Sequence, residues 1–154
     1  MSIPEIIPIK IKRLNENFSD IPLPSYSTTG SSGLDIRAAV ADEEIIPAGE
    51  LRLIPTNLSV AIPEGYEIQV RPRSGLAAKH GIAVLNSPGT IDSDYRGEIK
   101  IILMNLGKED FKIIRSDRIA QLVVSKVYKA ELLISEELEE SHRGSGGFGH
   151  TGKS

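Results

Sequence analysis

Apolar residues in this chain recur at every second position, in short runs separated by turn residues. Tyr66, Ile68 and Val70 alternate with Glu67, Gln69 and Arg71. Leu58, Val60 and Ile62 alternate around Ser59 and Ala61. Ile99, Ile101 and Leu103 share one face, while Ile102 and Met104 make the opposite face apolar too. Phe111–Ile114 and Leu122–Val124 are further short runs rich in β-formers. A period of two places successive side chains on opposite faces of a strand, and no helix can bury such a pattern on one side. Pro47-Ala48-Gly49, Pro63-Glu64-Gly65, Ser87-Pro88-Gly89 and Asn105-Leu106-Gly107 punctuate the runs, in a chain with 9 prolines and 14 glycines. Many short strands with regular turns predict an all-β barrel or sandwich. Ser74–His80 is the exception. It reads as one short helix of about two turns, with Ser74 placed to cap it and Gly81 to end it.

A length of 154 residues suggests one domain. A chain of that size buries roughly two-thirds of its unfolded surface and needs no covalent staples. Cysteine is absent, which excludes disulfides, a cysteine nucleophile and thiolate metal sites, and fits a reducing compartment. The net charge of −3 argues against a general nucleic-acid surface, so an anionic ligand needs a local basic pocket. Met1–Glu5 lacks the charged and apolar regions of a secretory signal, and no apolar run approaches a membrane span. The expectation is a non-secreted, cytoplasmic protein with no membrane or nucleic-acid partner, the nucleus and organelles remaining open. Asn17-Phe18-Ser19 and Asn57-Leu58-Ser59 match the glycosylation sequon and, in that setting, read as chance.

The tail Arg143-Gly144-Ser145-Gly146-Gly147-Phe148-Gly149-His150-Thr151-Gly152 cannot build a core. Its glycines let backbone N–H groups approach an anion, its arginine can grip phosphate, and its phenylalanine can stack on a base. It reads either as a mobile flap for a nucleoside triphosphate or as a frayed terminus. Gly144, Gly146 and Gly149 spell G-x-G-x-x-G. As a dinucleotide fingerprint the match fails, because a strand must precede that motif and a helix must follow it.

Two internal segments can carry chemistry. Arg71-Pro72-Arg73-Ser74-Gly75 stands where a strand runs into the helix, an arrangement suited to phosphate or simply a capped helix with surface arginines. Gly89-Thr90-Ile91-Asp92-Ser93-Asp94-Tyr95-Arg96-Gly97 sets two carboxylates, a tyrosine and an arginine between glycines. If extended, Asp92 and Asp94 share a face and can activate water or hold a hydrated metal; an acidic turn is the alternative. His80, His142 and His150 form no ligand pattern. Ser32–Ile36 and Arg118–Leu122 are unremarkable alone.

In order, Ser32–Ala39, Arg71–Ile82, Leu85–Asn105, Arg118–Val124 and Arg143–Gly152 resemble the five motifs of the homotrimeric dUTPases, over nearly the whole chain. The resemblance implies a jelly-roll-like β-barrel or sandwich and a threefold trimer hydrolysing dUTP to dUMP and pyrophosphate, which lowers dUTP and supplies dUMP for thymidylate synthesis. It implies Asp92 as the base that activates water, with Asn86 holding that water or the base. Tyr95 would pack under the deoxyribose, and the backbone from Asn86 to Tyr95, including Gly89, Thr90 and Ile91, would form a hairpin reading uracil. Arg73, Ser74, Gly75 and Gln121 would contact phosphates. Asp35 would support hydrated Mg²⁺ through water. Phe148 would cover the uracil, and Arg143, Ser145 and Gly147 would hold the γ-phosphate. The implied sites are shared: Asp35, Arg73 and Gln121 from one subunit, Asp92 from a second, Phe148 from a third. The expected division is a β domain over 1–134 and a linker with mobile flap over 135–154. A dCTP deaminase and a non-catalytic nucleotide sensor are the competing readings.

Overall fold

The computed structural model describes residues 5–148. Its strands are β1 (Lys10–Arg13), β2 (Ser25–Tyr26), β3 (Leu34–Arg37), β4 (Glu43–Ile46), β5 (Leu51–Pro55), β6 (Leu58–Ala61), β7 (Tyr66–Arg71), β8 (Ile82–Val84), β9 (Gly89–Ile91), β10 (Lys100–Asn105), β11 (Phe111–Ile114) and β12 (Arg118–Lys126). The α-helix α1 (Ser74–His80) lies between β7 and β8. The largest sheet runs β2-β3-β12-β7-β9; β5-β10-β8 forms a second, and β1-β6 and β11-β4 are two-stranded ribbons. All these ladders are antiparallel.

The two-residue period finds its counterpart in burial. Ile68 and Val70 of β7, Leu58 and Val60 of β6, and Ile101 and Leu103 of β10 all enter one core cluster. Ile36, Ile46, Ile54, Ile113 and Ile119 join it from other strands, so all four sheets close on the same interior. Each large aliphatic so buried contributes about 1.5–3 kcal/mol. Weakly patterned strands escape sequence reading. β1 is Lys-Ile-Lys-Arg and mostly exposed, and β8 and β9 are three residues each. They pair because long patterned neighbours offer them free edges.

Local expectations are corrected in two places and one open alternative is decided. The residue capping α1 is Arg73, in extended conformation and without a side-chain cap bond; Ser74 is already the first helical residue. Gly81 does end the helix, in the left-handed region at φ 69°. Of the two readings left open for Asp92–Tyr95 the extended one is not taken: the Tyr95 amide donates to the Asp92 carbonyl at 3.2 Å and closes the acidic turn. Nor do residues 86–95 form a two-stranded hairpin. Their one strand, β9, pairs with β7, matching Gly89 to Val70 and Ile91 to Ile68.

Side chains complete what the ladders leave open. Arg115 Nε approaches Asp20 Oδ2 at 3.1 Å and its guanidinium lies over the Phe18 ring at 4.6 Å, pinning the loop after β1. That hydrogen bond holds the Asp20 carboxyl below its ordinary range. Asn105 is fully buried. Its Nδ2 donates to the Ile46 and Glu109 carbonyls at 2.8 Å each, and its Oδ1 accepts from the Gly107 amide at 2.9 Å. Asn105→Ala orphans all three groups and is expected to cost about 3 kcal/mol, at roughly 1 kcal/mol per lost partner. A denaturant midpoint lowered accordingly at constant slope checks this; an unchanged midpoint would mean that water replaces the amide.

Candidate active site

β3, β12 and the β7–α1 junction converge on Asp35. Its side chain is 15% exposed and is held between two guanidiniums, Arg73 Nε at 3.2 Å and Arg118 Nη1 at 3.1 Å. Ser27 Oγ donates to the same carboxylate at 2.9 Å. Arg73 Nη1 also donates to the Arg118 carbonyl at 3.2 Å. Gln121, directly across the ladder from Asp35, donates through Nε2 to the Pro72 carbonyl at 2.9 Å. Ser74 and Gly75 follow at the exposed first turn of α1, where helical N–H groups lack intrahelical acceptors. Two cations, open amides and one amide side chain on a partly exposed surface make a receptor for phosphate oxygens.

Arg118 had no role in the sequence reading, for a physical reason. Strict alternation along β12 puts residues 118 and 121 on opposite faces. A register shift between Arg118 and Ala120 breaks the alternation, so Ile119 and Ala120 are both buried and Arg118 reaches the carboxylate that Gln121 faces. No composition signal marks such a bulge.

A second group of residues lines a cleft of about 410 Å³. Asn86, Gly89, Thr90, Ile91, Asp92 and Tyr95 contribute to it, together with apolar side chains of β5, β7 and β10. Gly89 and Ile91 are buried by the β7 ladder, which leaves Thr90 and Asp92 exposed. Rigid backbone therefore presents an exposed carboxylate at the end of β9. Tyr95 folds back across the turn and donates from Oη to the Glu98 carbonyl at 3.0 Å. Arg96 braces the same turn through Nη1, at 2.7 Å from the Ser93 carbonyl. Asp94 points away from this cleft into a neighbouring one shared by Asp92, Glu64, Glu67 and Lys129.

Asp35, Arg73 and Gln121 are absent from the lining of the Asp92 cleft. The described part of the tail lines neither the Asp92 cleft nor the one beside it. Arg143 Nε donates to the Gly146 carbonyl of its own turn at 2.6 Å, Ser145 is exposed and Gly147 half-buried, and Phe148 is fully exposed. Gly149, His150, Thr151 and Gly152 lie outside the described residues. His80 packs on Phe111, with ring centroids 5.1 Å apart, and His142 is exposed.

Comparison with known proteins gives a consistent result. The dUTPase family model matches residues 19–152. The deoxyuridine 5'-triphosphate nucleotidohydrolase of Rickettsia bellii (strain OSU 85-389) is 56% identical over 147 residues, covering 96% of this chain and 97% of that protein. The protein of the same name from Thermoanaerobacter sp. (strain X514) is 51% identical over 144 residues, covering 94% and 97%. Among solved structures, a single-substitution dUTPase of Staphylococcus bacteriophage 80alpha with dUpNHpp superposes at TM-score 0.82 with 26% identity, over 94% of this chain and 98% of that one. A dUTPase variant from phage phi11 of S. aureus, described with a structural Mg(II) ion, superposes at TM-score 0.75 with 25% identity, over 86% and 99%.

Proposed function

The chain belongs to the dUTPase family, and from that premise we propose how its own residues carry the reaction. It is a dUTP diphosphatase, hydrolysing dUTP to dUMP and pyrophosphate. The observation that carries the proposal is the exposed Asp92 carboxylate, held by β9 at a cleft shaped by Asn86, Thr90 and Tyr95.

Uracil and deoxyribose occupy that cleft, with the backbone of Gly89–Ile91 against the base and the Tyr95 ring beneath the sugar. Asp92 accepts a proton from a water that Asn86 helps to place. The water oxygen bonds to the α-phosphorus as the bond to the pyrophosphate oxygen breaks. Arg73, Arg118, Gln121 and the amides of Ser74 and Gly75 neutralise the charge that builds on the leaving group. The tail closes with Phe148 over the base and Arg143, Ser145 and Gly147 on the γ-phosphate, which excludes bulk water and aligns the phosphate chain.

The family implies Mg²⁺, and the donor set fits an ion that arrives with the triphosphate. Among the described residues no three His, Cys, Asp or Glu side chains gather, so no all-protein cage exists there. Asp35 offers one carboxylate beside two arginines, which suits a hydrated ion already coordinated by phosphates. When bound, Mg²⁺ would neutralise phosphate charge and orient the chain for attack. Asp35 would hold its water shell while keeping Arg73 and Arg118 aimed at the same oxygens.

We further read the assembly as a trimer with shared sites. Three features support this: Asp35, Arg73 and Gln121 do not line the Asp92 cleft, Arg143 in the described part of the tail bonds within its own turn, and apolar surface remains uncovered. Leu51 and Leu53 on β5 are exposed, as are Leu132, Leu133 and Ile134 beyond β12. Neighbouring subunits would bury both groups. The division at 134 then separates residues that serve the assembly from the Glu-rich linker and flap of 135–154. The absence of cysteine agrees with a cytoplasmic setting.

A nucleotide panel tests the reading. Pyrophosphate is expected from dUTP and not from dTTP, dCTP or UTP at matched concentrations. Ammonia released from dCTP would make the protein a deaminase, and tight dUTP binding without product would make it a sensor. Comparable turnover of dTTP would remove Gly89–Ile91 from the role of excluding the methyl group.

A further inference from the structure

Gly97 sits two residues past Tyr95, in the connection from β9 to β10. Its φ is not positive, so backbone conformation does not call for glycine there. Space does. A Cβ built on Gly97 would stand 2.6 Å from Tyr95 Cζ and 3.0 Å from Cε2, with Oη nearer still. The obstructing atoms are the rigid outer edge of an aromatic ring, which cannot yield by bending. The ring's Oη, the atom closest to that Cβ, is tethered by its bond to the Glu98 carbonyl at 3.0 Å. Yet Tyr95 remains 45% exposed, so no core packing holds it. The bare Cα of residue 97 and one hydrogen bond are what define the pose of a ring that lines the cleft.

We propose that Gly97 is a positioning residue for sugar selection: the absence of a side chain at 97 lets the Tyr95 ring lie down on the turn, in the pose that leaves space for deoxyribose and none for a 2′-hydroxyl. The proposal rests on Tyr95 being the sugar gate. A methyl at 97 lifts the ring off the turn, breaks the tether to Glu98 and frees the ring to swing to solvent. Discrimination against ribose then falls although Tyr95 itself is present.

The test is kcat/KM for dUTP and UTP in the full-length protein and in Gly97→Ala, Tyr95→Ala and the double variant. Gly97→Ala is expected to lower the dUTP/UTP ratio by about tenfold or more, the scale that one misfitted small group commands in a binding pocket. Tyr95→Ala lowers it as far, and Gly97→Ala adds nothing further in that background, because both act through one ring. A wild-type ratio in Gly97→Ala, with a lowered ratio in Tyr95→Ala, overturns the role of Gly97 and leaves Tyr95 as the gate. A wild-type ratio in Tyr95→Ala overturns the gate and the proposal with it. Multiplying effects in the double variant would show Gly97 acting by another route and overturn the proposal. If Gly97→Ala fails to fold, thermal unfolding of the double variant decides. Folding restored by removing the ring supports the clash, and continued failure overturns it.

Discussion

Asp92→Asn is expected to bind dUTP and to hydrolyse it ~10²–10⁴-fold more slowly, the usual cost of losing a positioned general base. Asparagine keeps the shape of the side chain and cannot take up the proton of the attacking water. The substitution leaves the scaffold alone: residue 92 is exposed, whereas Gly89 and Ile91 on either side of Thr90 are tied to β7. Thermal stability should therefore match the parent. Affinity should hold or rise, since the variant removes a negative charge close to an anionic ligand. Pyrophosphate release gives kcat, and calorimetric titration with a non-hydrolysable dUTP analogue gives Kd. Turnover within a few fold of the parent, at equal affinity, would take Asp92 out of the role and point to Asp94 in the neighbouring cleft.

Truncation after Glu140 is expected to leave the melting temperature nearly unchanged and to lower dUTP hydrolysis on the order of 10²-fold, the scale set by lost alignment of reacting groups. The described part of the tail touches neither group of site residues, and Phe148 lies entirely in solvent. It contributes nothing to the core that its removal could expose. Closing it over substrate costs about 1–2 kcal/mol of backbone entropy per residue. Charge-assisted bonds from Arg143 and the glycine amides to phosphate, each about 1.5–3 kcal/mol, offset that cost only when a full triphosphate is present. A flap of this kind is expected to select for chain length as well as for base.

The same variant resolves where the flap acts. Asp92→Asn and the truncated chain, each nearly inactive, are unfolded together and refolded at equal amounts. If base and flap come from different subunits, about a quarter of the sites in randomly mixed trimers receive an intact Asp92 and an intact tail. Activity should recover to about that fraction of the parent. Verified mixed trimers with no recovery would place base and flap on one chain.

The two-residue alternation of Tyr66–Val70, Leu58–Ile62 and Ile99–Leu103 determined by itself that the chain is a β protein, because side-chain direction along a strand is a local property. Local chemistry likewise marked Gly81 as a helix end, while the ordered motifs were legible through their resemblance to those of the dUTPases. The pairing of β9 with β7 instead of with its neighbour in the chain was decided by tertiary structure, as was the turn at Asp92–Tyr95. Edge partners are chosen by the whole sheet. Arg118 joined Asp35 only through a bulge that shifts the register of β12, a displacement that leaves no trace in residue type. Gly97 could be read from sequence as a turn residue but not as the floor under Tyr95, since a missing side chain has meaning only when another group occupies its place. Residue identity thus marked the groups proposed to carry the chemistry, and three-dimensional register decided which of them, Arg118 and Asp35 among them, meet within one chain.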